Sequence, residues 1–347
     1  MHRLLLLSTF LFVFATPAFS TPLSRHPYRL VKEIPIGGLE RWDYLAIDQK
    51  HRRLFIAHST QVEVMDLDRD SLLQPITGTD GAHGVAFVET AGHGFISCGK
   101  SNSVLMFDLK SLATIKTIPV GTKPDAIIFD PASQHVFVMN GKSNDISVID
   151  PVAGDVVATV KLGGAPEFAV ADGAGNIFVN LEDRSVVVKI DSKMNHFTAT
   201  WSVSPGKEPT GIAMNKAASI LFIACPNGKL VTINARNGRV VDILGTGTGA
   251  DAVVFDSTLG FVISSNGDGT ATVIESLDDE WRQTAVLDNI LTPKGARTMA
   301  FDSQTHALYF VALHEDLLVK PSVSSPPINP IAANTFVVLK YEHVEEK

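Results

Sequence analysis

The sequence predicts an all-β, seven-bladed β-propeller of four-stranded antiparallel blades. Three observations carry that reading: a strand-start pattern that recurs seven times, four short apolar runs inside each repeat, and an N-terminal segment that matches the strand missing from the last repeat. The starts are Asp43, His83, Asp125, Glu167, Thr210, Asp251 and Arg297, spaced by 40, 42, 42, 43, 41 and 46 residues. A period of this length sustained along the chain is the signature of a repeat architecture, so 347 residues need not mean two domains.

The central repeat, Asp125 to Pro166, defines the unit. Its four apolar runs have strand length. They are separated by Asp130-Pro131, by the turn from Gly141 to Asn144, by Asp150-Pro151 with Gly154, and by Gly163-Gly164, all residues that favour reversals. First runs include DAIIFD and DAVVFD, second runs HVFVMN and ILFIAC, third runs ISVID and LVTIN. The seventh repeat ends without a fourth run. Tyr28 to Leu39, YRLVKEIPIGGL, matches the central fourth strand VVATVKLGG, so the N-terminal strand is expected to pair with the C-terminal blade and close the ring. The Trp42-Asp43 pair occurs once and is not a repeat signature.

Residues 1–20 read as a cleavable signal peptide. Arg3 precedes an apolar stretch from Leu4 to Ala15, and Ala18-Phe19-Ser20 places small residues where a signal peptidase inspects them. Residues 21–347 then form the propeller, expected to be periplasmic or secreted, monomeric and without a membrane span after cleavage. Removing Arg3 moves the formal charge from −8 to −9, which argues against nucleic acid and anionic membrane as partners. Two cysteines, Cys98 and Cys225, fall in corresponding places of blades two and five. Those blades lie nearly opposite each other, too far apart for a disulfide.

The repeats, with VFVMN and its SND-I-VID continuation, resemble the YVTN β-propeller repeat, and the exported architecture is similar to YncE-like bacterial proteins. The resemblance covers the mature chain and implies the fold. It implies no catalytic residue, because such repeats are structural.

Chemistry is expected where first strands begin, since these line the central channel and their starts ring one mouth. Asp43, His83, Asp125, Glu167, Thr210, Asp251 and Arg297 therefore face a shared funnel, with Trp42 and Glu182 beside it. Second-strand ends add His58, Cys98, Asn140, Asn180, Cys225, Asn266 and His314. Four carboxylates and one imidazole suit a small polar or cationic ligand, or a divalent metal such as Ca²⁺, Mg²⁺ or Mn²⁺ held by Asp43, His83, Asp125, Glu167 and Asp251. Lys100, Lys142, Arg184 and Lys229 form a basic arc of turn residues outside that ring.

An insertion at 314–334 in blade seven, with four prolines, is expected to open on the same face and cover the mouth. GTGTGAD, Gly245 to Asp251, lacks the following helix that a phosphate loop requires, and no G-x-S-x-G, H-E-x-x-H or paired C-x-x-C occurs. Two functions follow. The first is a binding or scaffold protein presenting the mouth to a small molecule, cation or protein partner. The second is a metal-assisted hydrolase, lactonase or lyase with His83, Glu167 and Arg297 as catalytic residues.

Overall fold

Seven sheets follow one another along the chain, one for each repeat, in a computed structural model that describes residues 26–38, 42–313 and 336–344. The central repeat shows the pattern. Strands Pro124–Asp130, His135–Asn140, Asp145–Asp150 and Asp155–Lys161 pair antiparallel in sequence order. The second and third strands are buried almost throughout because neighbouring blades cover both faces, which is why they read as continuous apolar runs. The fourth strand is mostly exposed and forms the outer rim.

The expected closure is present. Tyr28–Pro35 lies antiparallel to Phe336–His343, from Tyr28 opposite His343 to Pro35 opposite Val337, and completes the sheet formed by Met299–Phe301 and Leu308–Leu313. Tyr28 and Ile34 are the two buried side chains of that strand. Tyr28 packs with Ile263, Phe310 and Tyr341, while Ile34 packs with Leu45, Tyr309 and Phe336. One strand thus contributes to the cores on both sides of the last blade, and the exposed edge of a three-stranded sheet is avoided.

The core is divided among seven clusters, each filling the space between two adjacent blades. Blade one departs from the pattern. Its fourth strand is split into Ser71–Leu72 and Ile76–Thr77. Pro75 sits in the gap, where its ring removes an N–H that a continuous ladder would use. The longest spacing, before blade seven, includes a turn in which Trp281 is buried against Phe222 and Phe255, with ring centroids 4.7 and 5.5 Å away.

The recurring Asp at the end of a first strand has a structural role on the face opposite the mouth. Asp48, Asp130 and Asp256 are buried and each accepts two backbone N–H groups of the following turn. Two such turns also tie neighbouring blades near the ring closure. Arg52 donates to Asp302 at 2.8 Å, and His306 Nδ1 lies 2.7 Å from Asp256. Residues 1–20 and 314–334, read above as signal peptide and mouth cover, lie outside the described residues.

Candidate functional site

Successive blades deliver one side chain each to the channel mouth, because each first strand enters the channel from the same side. The resulting cavity measures about 1020 Å³ and is lined by Trp42, Asp43, His83, Asp125, Glu167, Glu182, Thr210, Asp251 and Arg297, all expected from sequence. Lys100, Lys123 and Glu208 line it as well.

The ring resolves into three local arrangements. In the first, His83 Nδ1 hydrogen-bonds Asp43 Oδ2 and lies 3.5 Å from Asp125 Oδ1, so blades one, two and three converge on one imidazole. Gly99 makes room for it, since a Cβ at that position would come within 2.6 Å of His83 Nε2. Lys123 Nζ approaches the other oxygen of Asp125 at 3.6 Å. In the second, Tyr44 of blade one donates its hydroxyl hydrogen to Glu167 of blade four at 2.9 Å, and its ring lies 4.9 Å from that of Phe168. In the third, Arg297 Nε pairs with Asp251 Oδ2 at 3.0 Å. The arginine is 57% exposed and the aspartate 11%.

These surroundings displace proton affinities in a consistent direction. Burial pushes the Asp251 carboxyl up to about 6; Arg297 opposes this, while Asp43, Asp125 and Glu182 reinforce it. Burial also raises Asp125, where His83 and Lys123 pull downward and Asp43 pushes upward. Glu167 is held well above the ordinary range by burial, with the charges of Asp125, Glu182 and Asp251 adding to it. Burial works against the His83 imidazolium, yet its bond to Asp43 and the charges of Asp125 and Asp43 prevail and raise its pKa. The mouth therefore crowds partly buried carboxylates together, and the crowding raises their proton affinities.

Of the five residues expected to hold a metal, Asp43, His83 and Asp125 bring one ligand atom each within 4.8 Å of one another. Glu167 and Asp251 instead face Tyr44 and Arg297. The three residues expected as catalytic, His83, Glu167 and Arg297, fall one in each arrangement. Thr210 is tied down by donating to the Ala250 carbonyl at 2.8 Å. Trp42 packs against Phe336, centroids 5.2 Å apart.

The asparagines at the second-strand ends turn their amide NH₂ groups into the blades. Asn140 donates to Asp145 and Ser147, Asn180 to the carbonyls of Thr210 and Gly211, and Asn266 to Thr270 and Thr272. His58 is buried and stacked on Phe336 at 4.6 Å. Cys98 and Cys225 are free and buried. His314 lies outside the described residues. Of the basic arc, Lys100 lines the cavity, while Lys142, Arg184 and Lys229 do not.

Sequence reasoning missed Tyr44, although a signal was present. The residue after each mouth position is Tyr44, Gly84, Ala126, Phe168, Gly211, Ala252 or Thr298. Only Tyr44 and Phe168 are large, and they are the pair whose rings meet in the channel. Below them the channel continues as a chamber of about 330 Å³ with walls that include Phe168, Val170, Met214, Val254, Phe255 and Phe301.

The fold and site define a seven-bladed propeller with an acidic channel mouth. The chain is similar to a solved chain of hydrazine synthase from Kuenenia stuttgartiensis, with a TM-score of 0.70 and 13% identity, covering 78% of this chain and 92% of that one. As many as 1816 solved chains match, a breadth that identifies an architecture and not an activity. No family model matches the sequence, and no curated protein matches it.

Proposed function

We propose that this protein is an exported binding protein of the YVTN-repeat, YncE-like type, whose channel mouth captures a small cationic ligand. The observation that carries the reading is the convergence of Asp43, Asp125, Glu167 and Asp251 on one cavity of about 1020 Å³, with burial raising the last three. A buried carboxylate gains most from a cation that replaces its proton, so ligand entry relieves a cost the empty site carries. The rigid ring supplies a preformed cavity, which keeps the ordering cost of binding small. Export is supported by the pattern of residues 1–20.

The test is calorimetric titration of the purified mature chain with methylammonium, guanidinium, Ca²⁺ and Mn²⁺ at pH 7.5. Binding of at least one, weakened at least tenfold in Asp125→Asn or Asp251→Asn, supports the reading. Absence of binding by all four refutes it.

A second reading rests on the meeting of Asp43, His83 and Asp125 within 4.8 Å beside an open cavity, an arrangement suited to a metal that polarises a carbonyl. On this reading the protein is a metal-assisted hydrolase, lactonase or lyase. Turnover of a lactone and ester panel that requires added divalent metal and vanishes in His83→Ala would favour it over pure binding.

A further inference from the structure

The chamber beneath the mouth is lined by first-strand residues of blades one, four, five, six and seven, most of them apolar. Phe168, Val170, Met214, Val254 and Phe301 keep part of their apolar surface open although they stand in the interior of the ring. Apolar surface left facing a cavity has a favourable free energy of burial still unclaimed. Asp251 is the one residue, among those described, that lines both the chamber and the mouth. Asp251, whose carboxylate pairs with the largely exposed Arg297 at 3.0 Å, thus stands at the junction where a charged lining gives way to a mostly apolar one. The Tyr44 and Phe168 rings stand beside this junction, 4.9 Å apart, and Tyr44 holds its hydroxyl on Glu167. Aromatic faces next to carboxylates attract an ammonium group through the ring quadrupole as well as through charge.

We infer that the ligand of this mouth is an amphipathic organic amine, its ammonium group paired with Asp251 at the junction and its hydrocarbon body seated in the chamber below. This inference rests on the cationic-ligand reading above and adds the substrate class. A hydrated metal ion would leave the chamber unused, and a sugar would bring its many hydroxyl groups to walls that are mostly hydrocarbon. An alkyl- or arylalkylammonium ion satisfies both halves at once.

The experiment is a chain-length series on the intact protein: methyl-, butyl- and hexylammonium and phenethylammonium by calorimetry at pH 7.5, with hexanol as the uncharged control. A buried methylene is worth about fourfold in affinity. Hexylammonium is therefore expected to bind at least tenfold more tightly than methylammonium, and at least tenfold more tightly than hexanol. Ala252→Leu, which adds bulk to the chamber wall next to Asp251, is expected to flatten the series. Equal affinity for methyl- and hexylammonium overturns the inference while leaving the cationic reading intact. Failure of every amine, together with failure of the metal ions and guanidinium, removes both. Hexanol binding as tightly as hexylammonium, or a series just as steep in Ala252→Leu, also overturns the placement proposed here.

Discussion

Replacing Asp251 with Asn should stabilise the protein at neutral pH, a result opposite to that expected from breaking an ion pair. Asp251 pairs with Arg297 at 3.0 Å, yet its carboxyl titrates at about 6 where an ordinary Asp titrates at 3.8. The arginine is more than half exposed and offsets only part of the burial cost. A folded pKa above the unfolded value means that the folded state holds the proton more tightly. Stability then falls as pH rises from about 4 to about 6 and stays lowered above that range. The gap between 3.8 and about 6 corresponds to about 3 kcal/mol at 1.36 kcal/mol per pH unit. Asn keeps the shape of the side chain and has no such titration. Urea unfolding of both proteins between pH 4 and pH 7.5 checks this: the stability difference should shift by about 2 to 3 kcal/mol toward the Asn variant as pH rises. A difference that stays flat, or moves toward the wild type, would refute the claim that burial dominates at this carboxyl.

Other outcomes follow from the same geometry. Asp43→Asn should lower the titration midpoint of His83, read by NMR of the ring protons, because the bond to Asp43 is the largest influence holding that imidazole's pKa up. Tyr28→Ala should cost about 3 kcal/mol or more by loss of packing at the ring closure. Tyr28→Phe should cost nothing, since the buried hydroxyl has no hydrogen-bond partner among the described residues; a large loss in the phenylalanine variant would contradict that. The thiols of Cys98 and Cys225, pushed up to about 11 and about 12 by burial, should resist iodoacetamide at pH 8 in the folded protein and react promptly in denaturant.

The fold was legible because propeller blades repeat a local code. Asp130 caps the same turn as Asp48 and Asp256, the second strands are apolar on both faces, and YRLVKEIP carries a fourth-strand pattern without a blade of its own. Superposing units therefore recovered even the closure that pairs Tyr28 with His343, across almost the whole length of the described chain. What escaped was idiosyncratic. The outer strand of blade one is split at Pro75, a residue that the other blades do not repeat there. The second-strand ends looked like site residues by position, but the amide NH₂ groups of Asn140, Asn180 and Asn266 point into the blades and donate to carbonyl and side-chain acceptors there. A repeat alignment gives the height of a residue along the channel and not the direction in which its polar atoms turn.

Tyr44 shows why that missing direction matters for function. Its hydroxyl crosses from blade one to Glu167 on blade four, a contact between residues 123 positions apart. With Phe168 it separates a polar mouth from an apolar chamber, so the channel is divided into two environments. Burial and the charges of neighbouring carboxylates raise Glu167 well above the ordinary carboxylate range, while Asp251 is pushed up to about 6 on the other side of the same divide. On the amine reading proposed above, the ammonium group has its seat at Asp251, which lines both compartments, and not at Glu167, whose oxygen already accepts from Tyr44. Below pH 6 protons compete for that seat, so amine affinity should fall by up to tenfold for each pH unit of further acidification. Affinity independent of pH between 4.5 and 7.5 would place the cation elsewhere in the ring, with the Asp43, His83 and Asp125 group as the remaining candidate.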